Sequence, residues 1–195
     1  LPLLDAHTAV SEPGSAFEYN NGGFVVLALL AERLAQVPFH ELVAERVWEP
    51  AGMAHTAFLR SDELPGTAAV GYLDADGPRT NVLHLPVRGS GDGGAFTTVS
   101  DMSAFWDALL AGRIVPQRWV AEMLAPRHEP VGRQLGYGLG VWLHVGDVLE
   151  LHGYDAGVSY RSIHHPASTS TWTVGSNTSQ GSRPIETLLE ADLPH

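Results

Sequence analysis

The hydrophobic pattern of this chain changes period once, and that change limits the folds open to it. Up to about residue 135 apolar residues recur three and four apart, and after Gly136 they alternate. Phe24, Leu27, Leu30, Ala31 and Leu34 predict a helix over 24–36, closed by Pro38. A second helix runs through Leu42, Val43, Arg46 and Val47 until Pro50 and Gly52 stop it. A long Gly- and Pro-rich excursion covers 60–96. Thr98-Val99-Ser100-Asp101 fits a capping box ahead of a helix with Met102, Phe105, Trp106, Leu109 and Leu110 on one core face and Gly112 at its end. A short helix near Trp119 to Leu124 follows Pro116.

Beyond Gly136, Val141 to Val145 and Val148 to Leu151 read as a hairpin turning at Gly146-Asp147. Strands over Val158 to Ile163 and Thr169 to Val174 follow, then a helix opened by Pro184 and Glu186. Helices, then antiparallel strands, then a helix make an α+β arrangement. Residues 1–135 form a mainly helical region with a long loop, and 136–195 form sheet strands plus a C-terminal helix. Three or four strands with one flanking helix leave a sheet face and an edge uncovered, which predicts an incomplete domain.

Composition narrows function more than fold. With 195 residues, 44% hydrophobic and 17% charged, the chain is one domain or a large piece of one. It starts at Leu1, which leads us to expect a processed or cut N-terminus. A net charge of -11 argues against a nucleic-acid partner. The longest apolar run, Phe24 to Ala31, is too short for a membrane span. Cysteine is absent, and all 11 basic residues are arginine. No lysine nucleophile, lysine base or thiolate chemistry can come from these residues.

The stretch richest in chemistry is Pro13-Gly14-Ser15-Ala16-Phe17-Glu18-Tyr19-Asn20-Asn21-Gly22-Gly23-Phe24. A tyrosine and an asparagine two apart on a loop can point the same way, with the phenol relaying a proton and the amide orienting a carbonyl. The same residues also suit a plainer role, with Asn20 or Asn21 as an N-cap and Tyr19 as a packed aromatic. His164-His165 before Pro166 reads as a solvated turn, and Asp74 and Asp76 before Gly77 only faintly suggest a calcium loop.

In order along the chain, that segment, the helix after it, Val47-Trp48-Glu49-Pro50-Ala51-Gly52-Met53 and Gly93-Gly94-Ala95-Phe96-Thr97-Thr98-Val99-Ser100-Asp101-Met102 resemble the serine β-lactamase-like superfamily. This superfamily comprises class C β-lactamases, D-alanyl-D-alanine carboxypeptidases and related esterases. The resemblance extends from about Pro13 to about Asn177 and implies the β-lactamase/transpeptidase-like α+β fold. Its enzymes use a serine in S-x-x-K, a Ser/Tyr-x-Asn motif and a Lys-Thr-Gly-like strand. Tyr19 and Asn21 match the second motif as proton relay and orienting amide.

The third motif falls on Leu151-His152-Gly153-Tyr154-Asp155-Ala156-Gly157 in one of two registers. Either His152 replaces the lysine with Tyr154 at the glycine position, or Gly153 is that glycine and Leu151 stands at the lysine position. In both, the strand edge donates a backbone N–H from Tyr154 or Asp155 to an oxyanion. The resemblance thus marks Tyr19, Asn21 and His152 as catalytic, and Gly153, Tyr154 and Asp155 as substrate- or oxyanion-binding.

One departure is plain: S-x-x-K is absent, and in the family it lies N-terminal to Tyr-x-Asn. The expectation is a serine hydrolase cleaving a small-molecule ester or amide, or a peptide, through an acyl-enzyme. Its nucleophile would lie outside this chain, in the N-terminal remainder of the same domain, with no metal or organic cofactor. The alternative is a non-catalytic binding or scaffold domain that has lost the Ser-Lys pair.

Overall fold

The computed structural model describes residues 11–74, 76–127 and 134–190. Helix α1 spans Asn21–Ala35, three residues earlier than the apolar spacing predicts, because the Asn20 side chain accepts from Gly23 N–H and caps it. Gln36 ends it in the left-handed region. The next helical run turns away by 86°. It comprises α2 (Phe39–Val43), a π-turn over Ala44–Trp48 and α3 (Glu49–Ala51). Pro50 has no N–H to continue the ladder, and Glu49 N–H bonds instead to Ala44 O, which widens the turn.

Helix α4 (Val99–Leu110) is capped by Thr98, whose side chain accepts from Asp101 N–H. Only half of the predicted capping box forms. The Asp101 carboxylate is buried and accepts instead from His55 N–H (2.8 Å) and Thr56 Oγ1 (2.7 Å). It thereby ties the turn after Met53 to the start of α4. Helix α5 (Gln117–Met123) follows Pro116.

The sheet has five antiparallel strands in sequence order: β1 (Gln134–Tyr137), β2 (Trp142–His144), β3 (Leu149–Asp155), β4 (Val158–His165) and β5 (Ser170–Ser176). The sequence reading of three or four strands misses β1, which is four residues long, contains Gly136 and carries an irregularity against β2. Positive φ at both Gly146 and Asp147 makes the β2–β3 connection a type I′ turn, matching the twist of the strands it joins. Helix α6 spans Arg183–Glu190.

Helix α4 packs Trp106 and Leu109 against Val141, Leu143 and Leu149 on one sheet face. Trp106 is fully buried and donates from Nε1 to Ser162 Oγ on β4 (2.9 Å). His164 lies in β4 rather than in a turn. It is buried, bonded to Thr171 and stacked on Trp106. The 60–96 excursion docks on the β3–β4 turn, where Asn81 Nδ2 donates to Ala156 O, and on the end of β5, where Tyr72 N–H donates to Asn177 O. Its Gly91 sits against the α1 backbone at Phe24, where a Cβ would clash, and so pins the start of that helix.

Candidate active site

Tyr19 lies on the extended segment just before α1, half-exposed, with its ring among three others. It stacks on Trp142 (5.8 Å between centroids, 26° between planes), meets Tyr137 edge-on and leans on Phe24. Phe17, two residues earlier on the same side, also touches Tyr137 and Trp142. Phe17, Tyr19, Asn20, Phe24, Leu27 and Tyr137 line an open cleft of about 340 Å³. Burial, with a smaller contribution from nearby Tyr19, pushes the Tyr137 phenol up to about 12. Asn20 is the cap of α1, whereas Asn21 is the first helical residue and is exposed. Of the two asparagines, Asn21 is therefore the one not engaged in capping.

Strand β3 carries the other sequence-predicted residues. Its pairing with β2 stops at Trp142–Glu150, while its pairing with β4 continues from Leu149 to Asp155. From Leu151 onward β3 therefore has an edge without a β partner among the described residues. His144 N–H bonds to Val148 O, so the backbone groups of Val148 face β2. Alternation along an antiparallel ladder then turns the N–H groups of His152 and Tyr154 toward the open edge, and those of Leu151, Gly153 and Asp155 toward β4. The side chains of Leu151 and His152 point to opposite faces. Leu151 packs with the core, and His152 stands on the face of Trp142 and Glu150.

Glu150 is 2% exposed and anchors that face. Its Oε1 lies 2.5 Å from His152 Nδ1, and its Oε2 accepts from Arg161 Nη2 at 2.7 Å. His144 Nε2 sits 2.7 Å from Oε2, without hydrogen-bond alignment. Burial opposes ionisation of Glu150. Interactions with His144, His152 and Arg161 outweigh it and hold the carboxyl well below the usual carboxylate range. The His152 ring is nearly parallel to Trp142 (5.5 Å, 7°). Tyr19 and His152 thus share one contact, the Trp142 indole. Of the sequence-predicted residues, these two converge on Trp142, and Gly153 and Tyr154 continue along the open strand. Asp155 closes the β3–β4 turn, accepting from Ala156 N–H and from Ser179 Oγ.

The Beta-lactamase family model matches residues 3–182. This chain belongs to that family. It is 34% identical to a penicillin binding protein from Bacillus halodurans, whose crystal structure superposes with a TM-score of 0.91 over 98% of this chain and 61% of that one. It is 27% identical to a putative penicillin-binding protein, PbpX, of Bacillus subtilis, over 69% of this chain and 33% of the relative. It is 29% identical to a D-aminopeptidase of Brucella anthropi, over 68% of this chain and 25% of the relative. The chain therefore spans a third or less of these two curated relatives. Its helices and antiparallel sheet have the penicillin-binding-protein/β-lactamase-like fold.

The sequence reading missed Trp142 and Glu150. A signal for Glu150 was present, since Glu150-Leu151-His152 in a strand puts a carboxylate and an imidazole on one face. Trp142 had none, because its contacts with Phe17 and Tyr19 join residues more than a hundred positions apart. Among the described residues no three His, Asp or Glu side chains gather as a metal site would need.

Proposed function

We propose that this chain is the C-terminal part of a serine hydrolase of the β-lactamase/DD-peptidase/esterase type. It would cleave an ester or amide through an acyl-enzyme whose serine lies in an S-x-x-K segment outside residues 1–195. The observation that carries this reading is the open β3 edge. The N–H of Tyr154 faces that edge, and on the neighbouring strand Trp142 is stacked by both Tyr19 and His152. The absence of lysine from all 195 residues supports an external Ser-Lys pair.

In this reading the serine oxygen bonds to the substrate carbonyl carbon while its proton passes to Tyr19 Oη and the phenol's own proton passes on to the lysine amine of S-x-x-K. The carbonyl π electrons move to oxygen, where Tyr154 N–H stabilises the anion. Asn21 orients the carbonyl from its exposed position at the head of α1. The C–O or C–N bond to the leaving group then breaks, and Tyr19 returns the proton to the departing oxygen or nitrogen. Water must next attack the acyl carbon, a step that needs a base. The ladder alternation supports the register with Gly153 as the motif glycine and Tyr154 N–H as oxyanion donor. Leu151 then stands where relatives carry lysine, so no cation there awaits a substrate carboxylate. This favours an esterase or peptidase over an efficient β-lactamase, as do relatives named D-aminopeptidase and putative D-alanyl-D-alanine carboxypeptidase.

The test is to read the gene upstream of Leu1 and assay the longer product on a chromogenic ester. An S-x-x-K segment together with turnover supports the hydrolase. A gene without that segment, and a product without turnover, would leave a binding or scaffold domain.

A further inference from the structure

We infer that Glu150 is a positioning residue for His152. It fixes the imidazole in its Nδ1–H tautomer and so presents Nε2 as the proton acceptor for the water that cleaves the acyl-enzyme. This rests on the hydrolase reading above and supplies the base that reading lacks.

Arg161 cannot lose its proton, and its Nη2 donates to Glu150 Oε2 at 2.7 Å. Beside that permanent cation Glu150 is ionised, and an ionised carboxylate can only accept. His152 Nδ1, 2.5 Å from Oε1, must therefore carry the hydrogen between them. In a neutral imidazole the other nitrogen, Nε2, is then the acceptor. The parallel indole of Trp142 fixes the ring plane.

Among the described residues, the charged and titratable groups facing this pair come from three strands: His144 on β2, Glu150 on β3 and Arg161 on β4. Glu150 is buried while His152 is 40% exposed at its side chain. The orienting carboxylate is thus shielded and the imidazole is reachable. As the water oxygen bonds to the acyl carbon, its proton moves to Nε2. When the carbon–serine bond breaks, that proton passes to the serine oxygen, restoring both groups.

Two measurements on the full-length protein test this. Long-range nitrogen-15 NMR of the histidine side chains reads the tautomer without needing turnover. Wild type should show His152 as Nδ1–H, and E150Q should shift it toward a mixture. Rapid-quench kinetics with intact-mass detection should show acylation unchanged in E150Q. Deacylation should slow about 10- to 100-fold, the range for removing an outer partner of a working histidine. H152A should slow it at least as much, and H152A/E150Q no further. If E150Q does not fold, the wild-type tautomer and E150D, which keeps the charge and should keep the tautomer, decide the matter.

A wild-type His152 protonated at Nε2, an unchanged tautomer in E150Q, or normal deacylation in E150Q would each overturn the inference. Absence of any acyl-enzyme in wild type would overturn the hydrolase reading, and with it the base role. The tautomer would still report separately whether Glu150 positions His152.

Discussion

Replacing Tyr19 with phenylalanine separates the chemistry of the loop from its packing. The ring contacts of Tyr19 to Trp142, Tyr137 and Phe24 all survive in Y19F. The hydroxyl that is lost has no hydrogen-bond partner among the described residues. Folding stability should therefore change by less than about 0.5 kcal/mol, the usual bound for a surface substitution that breaks nothing. If the phenol relays the proton from serine to leaving group, kcat on an activated ester should fall about 10²- to 10⁴-fold, roughly 3–5 kcal/mol of barrier.

The contrast with Y19A makes the comparison sharper. Three aromatic pairs are worth about 0.5–1.5 kcal/mol each at best. Because Tyr19 is 47% exposed, a total cost of about 1–3 kcal/mol is reasonable for Y19A. Both variants should thus lose kcat alike, while only Y19A loses stability. The assay is steady-state hydrolysis by a chain that includes the proposed S-x-x-K segment, paired with urea unfolding. A folded Y19F enzyme within twofold of wild-type kcat would refute the relay and leave Tyr19 as a packed aromatic.

Three other outcomes follow from the same geometry. H152A should lower kcat on a chromogenic ester, through slower deacylation. N177A should not, since Asn177 is exposed beyond β5 and bonds only to the 70–72 backbone; equal losses would indicate general destabilisation. Because the folded-state pKa of Glu150 is depressed, its stabilisation is in place above the unfolded value of 4.5 and is lost as pH falls below that value. Unfolding midpoints should therefore drop on the acid side in wild type and less steeply in E150Q; equal slopes would contradict the network. W106F should cost about 2–3 kcal/mol in urea unfolding, from lost buried volume plus the Nε1–H bond to Ser162, and a loss under about 0.5 would contradict it.

What the sequence revealed was whatever neighbours in the chain decide. Thr98 at the head of α4 and Gly146-Asp147 between β2 and β3 act through hydrogen bonds or backbone preferences spanning three residues or fewer, and both were readable. The first turn of α1 was not, because Asn20 and Asn21 offer the same chemistry and only the Gly23 N–H bond shows which one caps. Asp101 was half-legible. Its place in α4 follows from local spacing, but its partners His55 and Thr56 are more than forty residues away.

At the site, Tyr19, Asn21 and His152 were marked by resemblance, His152 in one of two open registers of the third motif. Which N–H groups face the open edge needed the pairing of Val148 with His144, a fact about register that composition does not contain. The same holds for Arg161, whose charge meets Glu150 only because β4 lies beside β3 in that register.

The central claim is that residues 1–195 hold the relay and the oxyanion edge of a serine hydrolase but not its nucleophile. Intact-mass spectrometry after incubation with a fluorophosphonate tests it most directly, on residues 1–195 and on the longer gene product side by side. The account predicts one stoichiometric adduct on the longer chain, mapping to the serine of S-x-x-K, and none on residues 1–195. A stoichiometric adduct on any of the thirteen serines within residues 1–195 would contradict it.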